Sequence, residues 1–127
     1  MTTDILVYAR TRFVGFHRWP GATGAFYYLS HLHRHEFYVE VCVEVIHADR
    51  DVEFHLLRVD TEKTIKKLQQ KTNTNTWSCE TWANSIADAL AKSTMQYKVA
   101  YVDVSEDGEC GARVFYASEE DNETSVS

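Results

Sequence analysis

Cysteine is scarce and poorly spaced for cross-linking. The 127-residue chain has three, Cys42, Cys79 and Cys110, an odd number with no Cys-x-x-Cys pair, which argues against a disulfide framework or a thiolate zinc site. Long apolar runs are absent too. None approaches the ~20 residues that span a bilayer, and the N-terminus lacks a basic stretch leading into an apolar one, so a cytoplasmic protein without a membrane partner is expected. Clustered basic charge is also missing. The densest group, Lys63-Thr64-Ile65-Lys66-Lys67, reads as the solvated face of a helix, so no nucleic-acid partner is expected.

What remains is an ordinary globular composition, 44% apolar and 25% charged, at a length that suits one domain. The formal net charge is −6, and Glu119, Glu120, Asp121 and Glu123 supply four of the negative charges. The body is therefore nearly neutral. Residues 1–118 are expected to form the domain, and 119–127 an acidic tail without fixed structure. Three tryptophans, seven tyrosines and six phenylalanines on so short a chain favour burial in an oligomer.

Two segments alternate with a period of two. Residues 5–17 place Ile5, Val7, Ala9, Thr11, Phe13, Gly15 and His17 on one side, and residues 33–45 do the same with His33, His35, Phe37, Val39, Val41, Val43 and Val45. The loop signal Trp19-Pro20-Gly21 and the aromatic Phe26-Tyr27-Tyr28 lie between them. An antiparallel return then sets His17 beside His33 and His35, all on one face.

Asp49-Arg50-Asp51 marks a turn, Val52 to Leu57 reads as a short apolar bridge, and Asp60 is placed to cap a helix through Leu68. Thr72 to Thr76 breaks that helix. Ser78 is placed to cap a second, whose Trp82, Ala83, Ile86, Ala87 and Leu90 recur at helical spacing. Strands at 97–104 and 112–117, turned by Gly108 and Gly111, complete a β-β-α-α-β-β order. The expected fold is α+β, a four-stranded antiparallel sheet with both helices on its apolar face.

Three neutral imidazoles suit Zn²⁺ and leave a fourth position open, the pattern of a catalytic site. His17, His33 and His35 are therefore candidate metal ligands, with Glu36 and Glu53 as possible acceptors for their outer N–H groups. His-x-His also occurs in polar loops without any ligand, and His31, His47 and His55 show that this chain uses histidine freely.

Phe-Val-Gly-Phe-His-Arg at 13–18 resembles the Phe-x-Ala-x-His-Arg of the 6-pyruvoyl-tetrahydropterin synthase and 6-carboxy-tetrahydropterin synthase family, which includes the queuosine-pathway enzyme. Leu-His-Arg-His-Glu-Phe-Tyr-Val-Glu-Val at 32–41 is similar to its Leu-His-Gly-His-x-Tyr-x-Val-x-Val, Val52-Glu53-Phe54-x-x-Leu57 to its hydrophobic-Asp-Phe-x-x-Leu, and Ser78-Cys79-Glu80-x-x-Ala83 to the start of its second helix. The resemblance spans residues 13–116. It implies a tunnelling fold in which sheets join across subunits into a barrel, as trimers or hexamers, and a carbon–oxygen lyase acting on a dihydroneopterin triphosphate-like pterin or deazapurine precursor. It implies His17, His33 and His35 as Zn²⁺ ligands. Val104-Ser105-Glu106-Asp107 fits the family's Val-x-Glu-Thr, which implies Glu106 as the grip on the amino-pyrimidine edge, with Glu109 competing, and Glu80 as a further ligand-binding residue.

Three departures accompany the match. Leu29 stands where the family has its catalytic cysteine, Gln69 to Asn75 replaces the stretch that carries its Asp-His pair, and Arg34 replaces the glycine between the metal histidines. Proton transfer of that kind is typically worth 10²–10⁴-fold. Tyr28 and His31, with Tyr27 beside them, are the candidates to replace the missing base. The alternative reading is a non-catalytic pterin- or purine-like ligand-binding protein that has lost turnover.

Overall fold

A computed structural model describes residues 5–46 and 51–116. Strand β1 (Leu6–His17) and strand β2 (His33–Glu44) are joined by a loop carrying a 3-10 turn (Gly24–Ser30); helices α1 (Phe54–Lys71) and α2 (Cys79–Ala91) follow, then strands β3 (Val99–Glu106) and β4 (Cys110–Phe115). The strands form one antiparallel sheet in the order β1-β2-β3-β4, so β1 and β4 are its edges. The fold is α+β with the expected element order. The turn at Asp49-Arg50 and the acidic tail lie outside the described residues.

Pleat alternation builds the core. Phe37, Val39, Val41 and Val43 of β2 and Val102 and Val104 of β3 are buried on one face, where Trp82, Ala83, Ile86, Ala87 and Leu90 of α2 and Leu57 and Ile65 of α1 meet them. Each of the valine, leucine, isoleucine and phenylalanine side chains contributes about 1.5–3 kcal/mol when fully buried. The opposite face is polar. Arg10, Glu40, Asp103 and Arg113 lie in one register row across all four strands, with Arg10 Nε 2.6 Å from Glu40 Oε1 and Arg113 Nε 2.7 Å from Asp103 Oδ2. Tyr101 donates its hydroxyl to the same Glu40.

Helix α1 begins six residues before Asp60, at Phe54, where the Glu53 side chain accepts the His55 backbone N–H and acts as the cap. The bridge expected at 52–57 is thus mostly helix. Leu57, Thr61 and Ile65 are its buried residues, a stripe at i, i+4 spacing that a short apolar run does not reveal until the following turn is counted with it. Asp60 instead accepts the Tyr97 hydroxyl at 2.5 Å. Ser78 caps α2 as expected, accepting from Thr81 N at 3.1 Å. Strand β3 begins two residues later than expected and β4 two earlier.

The β3–β4 turn uses left-handed backbone at Asp107 (φ 56°) and Gly108 (φ 74°), the conformation that an Asp-Gly pair tolerates. Gly111 meets a different demand. A Cβ there would lie 2.1 Å from Val104 O and 2.5 Å from Ser105 Cα, so β3 approaches too closely for any side chain.

Candidate metal and ligand site

Antiparallel pairing sets His17, the last residue of β1, opposite His33, the first of β2, and Gly15 opposite His35. All three imidazoles leave the sheet on its helix-covered face. Ring centres are 5.6 Å apart for His17 and His33, 4.5 Å for His33 and His35, and 6.5 Å for His17 and His35. Three rings bonded to one ion through nitrogens at about 2.0–2.1 Å would have their centres about 5 Å apart.

Beneath them the His17 and His35 rings stand edge-on to Phe37, with centres 6.4 and 6.3 Å away. Phe37 stacks on Phe13 at 5.0 Å, Phe13 touches Trp82 at 4.8 Å, and Trp82 meets Trp77 at 4.9 Å. The cluster therefore rests on an aromatic column that runs into α2.

Hydrogen bonding defines which nitrogens are free. His33 Nδ1 lies 2.8 Å from the His31 carbonyl oxygen, which can only accept, so that nitrogen carries the proton and Nε2 keeps its lone pair. His33 Nε2 is buried without a hydrogen bond, and so is His17 Nδ1. Such orphaned polar atoms are costly unless a ligand satisfies them. His35 Nδ1 is 2.9 Å from Asp107 Oδ2. Glu106 Oε1 lies 3.4 Å from His17 Nδ1, and Glu106 Oε2 lies 3.8 Å from His35 Nε2. Burial pushes His17 below the ordinary histidine range against the opposing pull of Glu106, with His33 and His35 adding to the lowering. Among the described residues no three side chains already converge on a metal position, so ligation would require the rings to turn. In kind, the donors fit Zn²⁺: three imidazoles, two of them with a buried nitrogen that makes no hydrogen bond.

A cavity of about 390 Å³ opens against this cluster, lined by His17, Trp19, Leu29, His33, Thr76, Ser78, Glu80 and Glu106. Local bonds shape it. Trp19 N donates to Leu29 O at 2.7 Å, folding the β1–β2 loop over the mouth, and Arg18 N donates to Asn75 O at 2.8 Å, tying the segment between the helices to the end of β1. Glu106 ends β3 and Glu80 lies in the first turn of α2, so two carboxylates face the histidines from different elements. A larger hollow of about 850 Å³ lies between β1 and α1, but it holds no imidazole. Its Arg10 and Arg58 are already paired with Glu40 and Glu62.

The remaining sequence candidates fall elsewhere. Tyr28 is exposed, and His31 lies at the end of the 3-10 turn with its ring against Tyr27; neither lines the cavity. Glu109 is exposed in the β3–β4 turn and does not line it either. Glu36 points to the opposite face, 3.4 Å from Arg12, and Glu53 caps α1, so neither serves as an outer acceptor for the histidines. Those acceptors are Asp107 and the His31 carbonyl. The reach of Asp107 depends on the β2–β3 register, which no local pattern carries; its sequence signal is its place beside Glu106 in an Asp-Gly turn.

No protein-family model matches the chain, and no curated protein matches it. Among solved structures, the uncharacterized protein WS1659 from Wolinella succinogenes is similar, with a TM-score of 0.65 and 13% identity over 91% of this chain and 100% of that one. At that identity the likeness shows a shared fold.

Proposed function

We propose that this chain is a zinc-binding, 6-pyruvoyl-tetrahydropterin synthase-like protein that takes a pterin or deazapurine-precursor ligand of the dihydroneopterin triphosphate kind. The observation that carries the reading is the cavity in which His17 and His33, each with a buried nitrogen that makes no hydrogen bond, meet Glu106, Glu80 and Trp19. Bound Zn²⁺ would supply Lewis acidity toward a ligand carbonyl or hydroxyl. Glu106 would orient the ligand by accepting two N–H bonds from an amino-pyrimidine edge, a charge-assisted contact with fixed geometry. Trp19 offers an aromatic wall for the ring. The exposed edges of β1 and β4, with Leu6, Tyr8, Val14 and Phe16 on one and Phe115 on the other, fit a tunnelling fold in which sheets join across subunits into a barrel of trimers or hexamers.

A second reading, ligand binding without turnover, has its own observation. Leu29 lines the cavity where the resembling family has its cysteine, and neither Tyr28 nor His31 joins it there. Cys79 does not substitute, since burial first, then Glu106, Glu80 and Asp103, push its thiol up to about 12. Metal analysis of freshly purified protein, with turnover of dihydroneopterin triphosphate, tests both. One zinc per chain with product supports the lyase, one zinc without product the binding protein, and protein free of zinc overturns both.

A further inference from the structure

The end of β3 carries a carboxylate whose position the turn alone does not explain. Asp107 takes the left-handed conformation that glycine favours, with φ 56°, yet it is an aspartate with both oxygens engaged. Oδ1 accepts the Glu36 backbone N–H at 3.2 Å and Oδ2 lies 2.9 Å from His35 Nδ1, while the Asp107 N–H donates to Glu36 O at 2.7 Å. The residue is thus clamped to the start of β2 by two bonds to the Glu36 backbone, and its second carboxylate oxygen is held against one imidazole nitrogen. His35 Nε2 then faces the cluster, 3.8 Å from Glu106 Oε2.

We infer that Asp107 is a positioning residue, whose carboxylate selects the Nδ1–H form of His35 and so presents the Nε2 lone pair toward an ion held by the three histidines. The inference rests on the zinc reading for its consequence, but not for its geometry. In a neutral imidazole one nitrogen donates and the other accepts, so an acceptor-only carboxylate at Nδ1 fixes the assignment of both. His33 obtains the same assignment from a backbone carbonyl, which no side-chain substitution removes. His35 alone of that pair owes it to a side chain. A carboxylate behind an imidazole also raises the basicity of the ligating nitrogen, and removal of such outer partners typically costs about 10–100-fold in metal affinity.

Asp107→Gly tests this on the full chain, because glycine suits the backbone there and removes the acceptor. The readouts are the His35 tautomer by nitrogen-15 NMR of metal-free protein, the zinc affinity by chelator competition, and the melting temperature. Wild-type protein is expected to show Nδ1–H at His35. The glycine variant should lose that preference and bind zinc about 10–100-fold more weakly, with any fall in melting temperature confined to the loss of the Glu36 N–H bond to the carboxylate. Asp107→Asn keeps an acceptor oxygen and should lie between the two. An Nε2–H tautomer at His35 in the wild type, a glycine variant that retains both tautomer and zinc affinity, or an asparagine variant weaker than the glycine one would overturn the inference. Wild-type protein that binds no zinc would overturn the zinc reading instead, and the tautomer would still decide the role of Asp107.

Discussion

Each histidine of the cluster has one nitrogen whose bonding determines what the other can do. His33 is the sharpest case, since its outer nitrogen is committed to the His31 carbonyl and its inner one is buried without a partner. His33→Ala should lower zinc content from about one per chain to under a tenth, by metal analysis, if three imidazoles are the minimum for an open zinc site. His55→Ala, at the exposed start of α1, should leave it unchanged. On the proposed pterin reading, Glu106→Gln would remove a charge-assisted contact worth about 1.5–3 kcal/mol, so pterin affinity by titration calorimetry should weaken by roughly 10–100-fold. Glu109→Gln, outside the cavity, should not weaken it; equal losses would sink the assignment of Glu106. At this scale the sequence made the three histidines legible, because strand alternation and one hairpin return place them without further information. It also contained what was needed to exclude Glu36, which sits between His35 and Phe37 and so must face the other way. Asp107 was not legible, since it acts across strands through a register that no local pattern encodes.

Among the elements, β3 and β4 depend on a missing side chain. Gly111→Ala would drive a methyl group into the β3 backbone, and overpacking of that kind costs about 1–3 kcal/mol, to be read as a lower urea midpoint at constant slope. The charged row on the open face should show itself in pH dependence. Burial raises the Glu40 carboxyl, but hydrogen bonds from Tyr101 and Arg10 and the charges of Arg10 and Arg113 bring it below its ordinary value. A carboxylate with a depressed folded-state value stabilises the fold above its unfolded pKa, and that contribution is lost as pH falls through the folded one. The Tyr101 hydroxyl is raised, chiefly by its bond to Glu40, so its contribution is complete below the ordinary tyrosine range and fades as pH climbs through it. The melting-temperature gap between wild type and Tyr101→Phe should therefore be widest near neutrality and narrow in both acid and alkali. A gap independent of pH would mean that the hydroxyl's ionic partner contributes nothing. Most element boundaries were legible within two residues. The start of α1 was not, because its first turn exposes Phe54 and Leu56 and buries Leu57, a pattern that resembles a strand until Thr61 and Ile65 extend it.

For the molecule as a whole, the β1 and β4 edges are unpaired among the described residues and carry exposed apolar side chains, the setting in which the proposed barrel would cover them. Size-exclusion chromatography with light scattering at micromolar concentration should give a mass three or six times the 14.6 kDa chain. A monomer would remove the barrel from the proposal. The aromatic column under the histidines has an optical consequence. Phe37 and Phe13 carry the packing from His17 and His35 to the indole of Trp82, which is almost fully shielded from water and so should emit toward the blue. An open-shell ion such as cobalt(II), bound by the imidazoles, would lie close enough to drain that emission, whereas zinc, with its filled d shell, would leave it bright. The fold thus carries its own lamp and photometer, and cobalt(II) occupancy of the cluster can be followed in unlabelled protein by a shortened fluorescence lifetime.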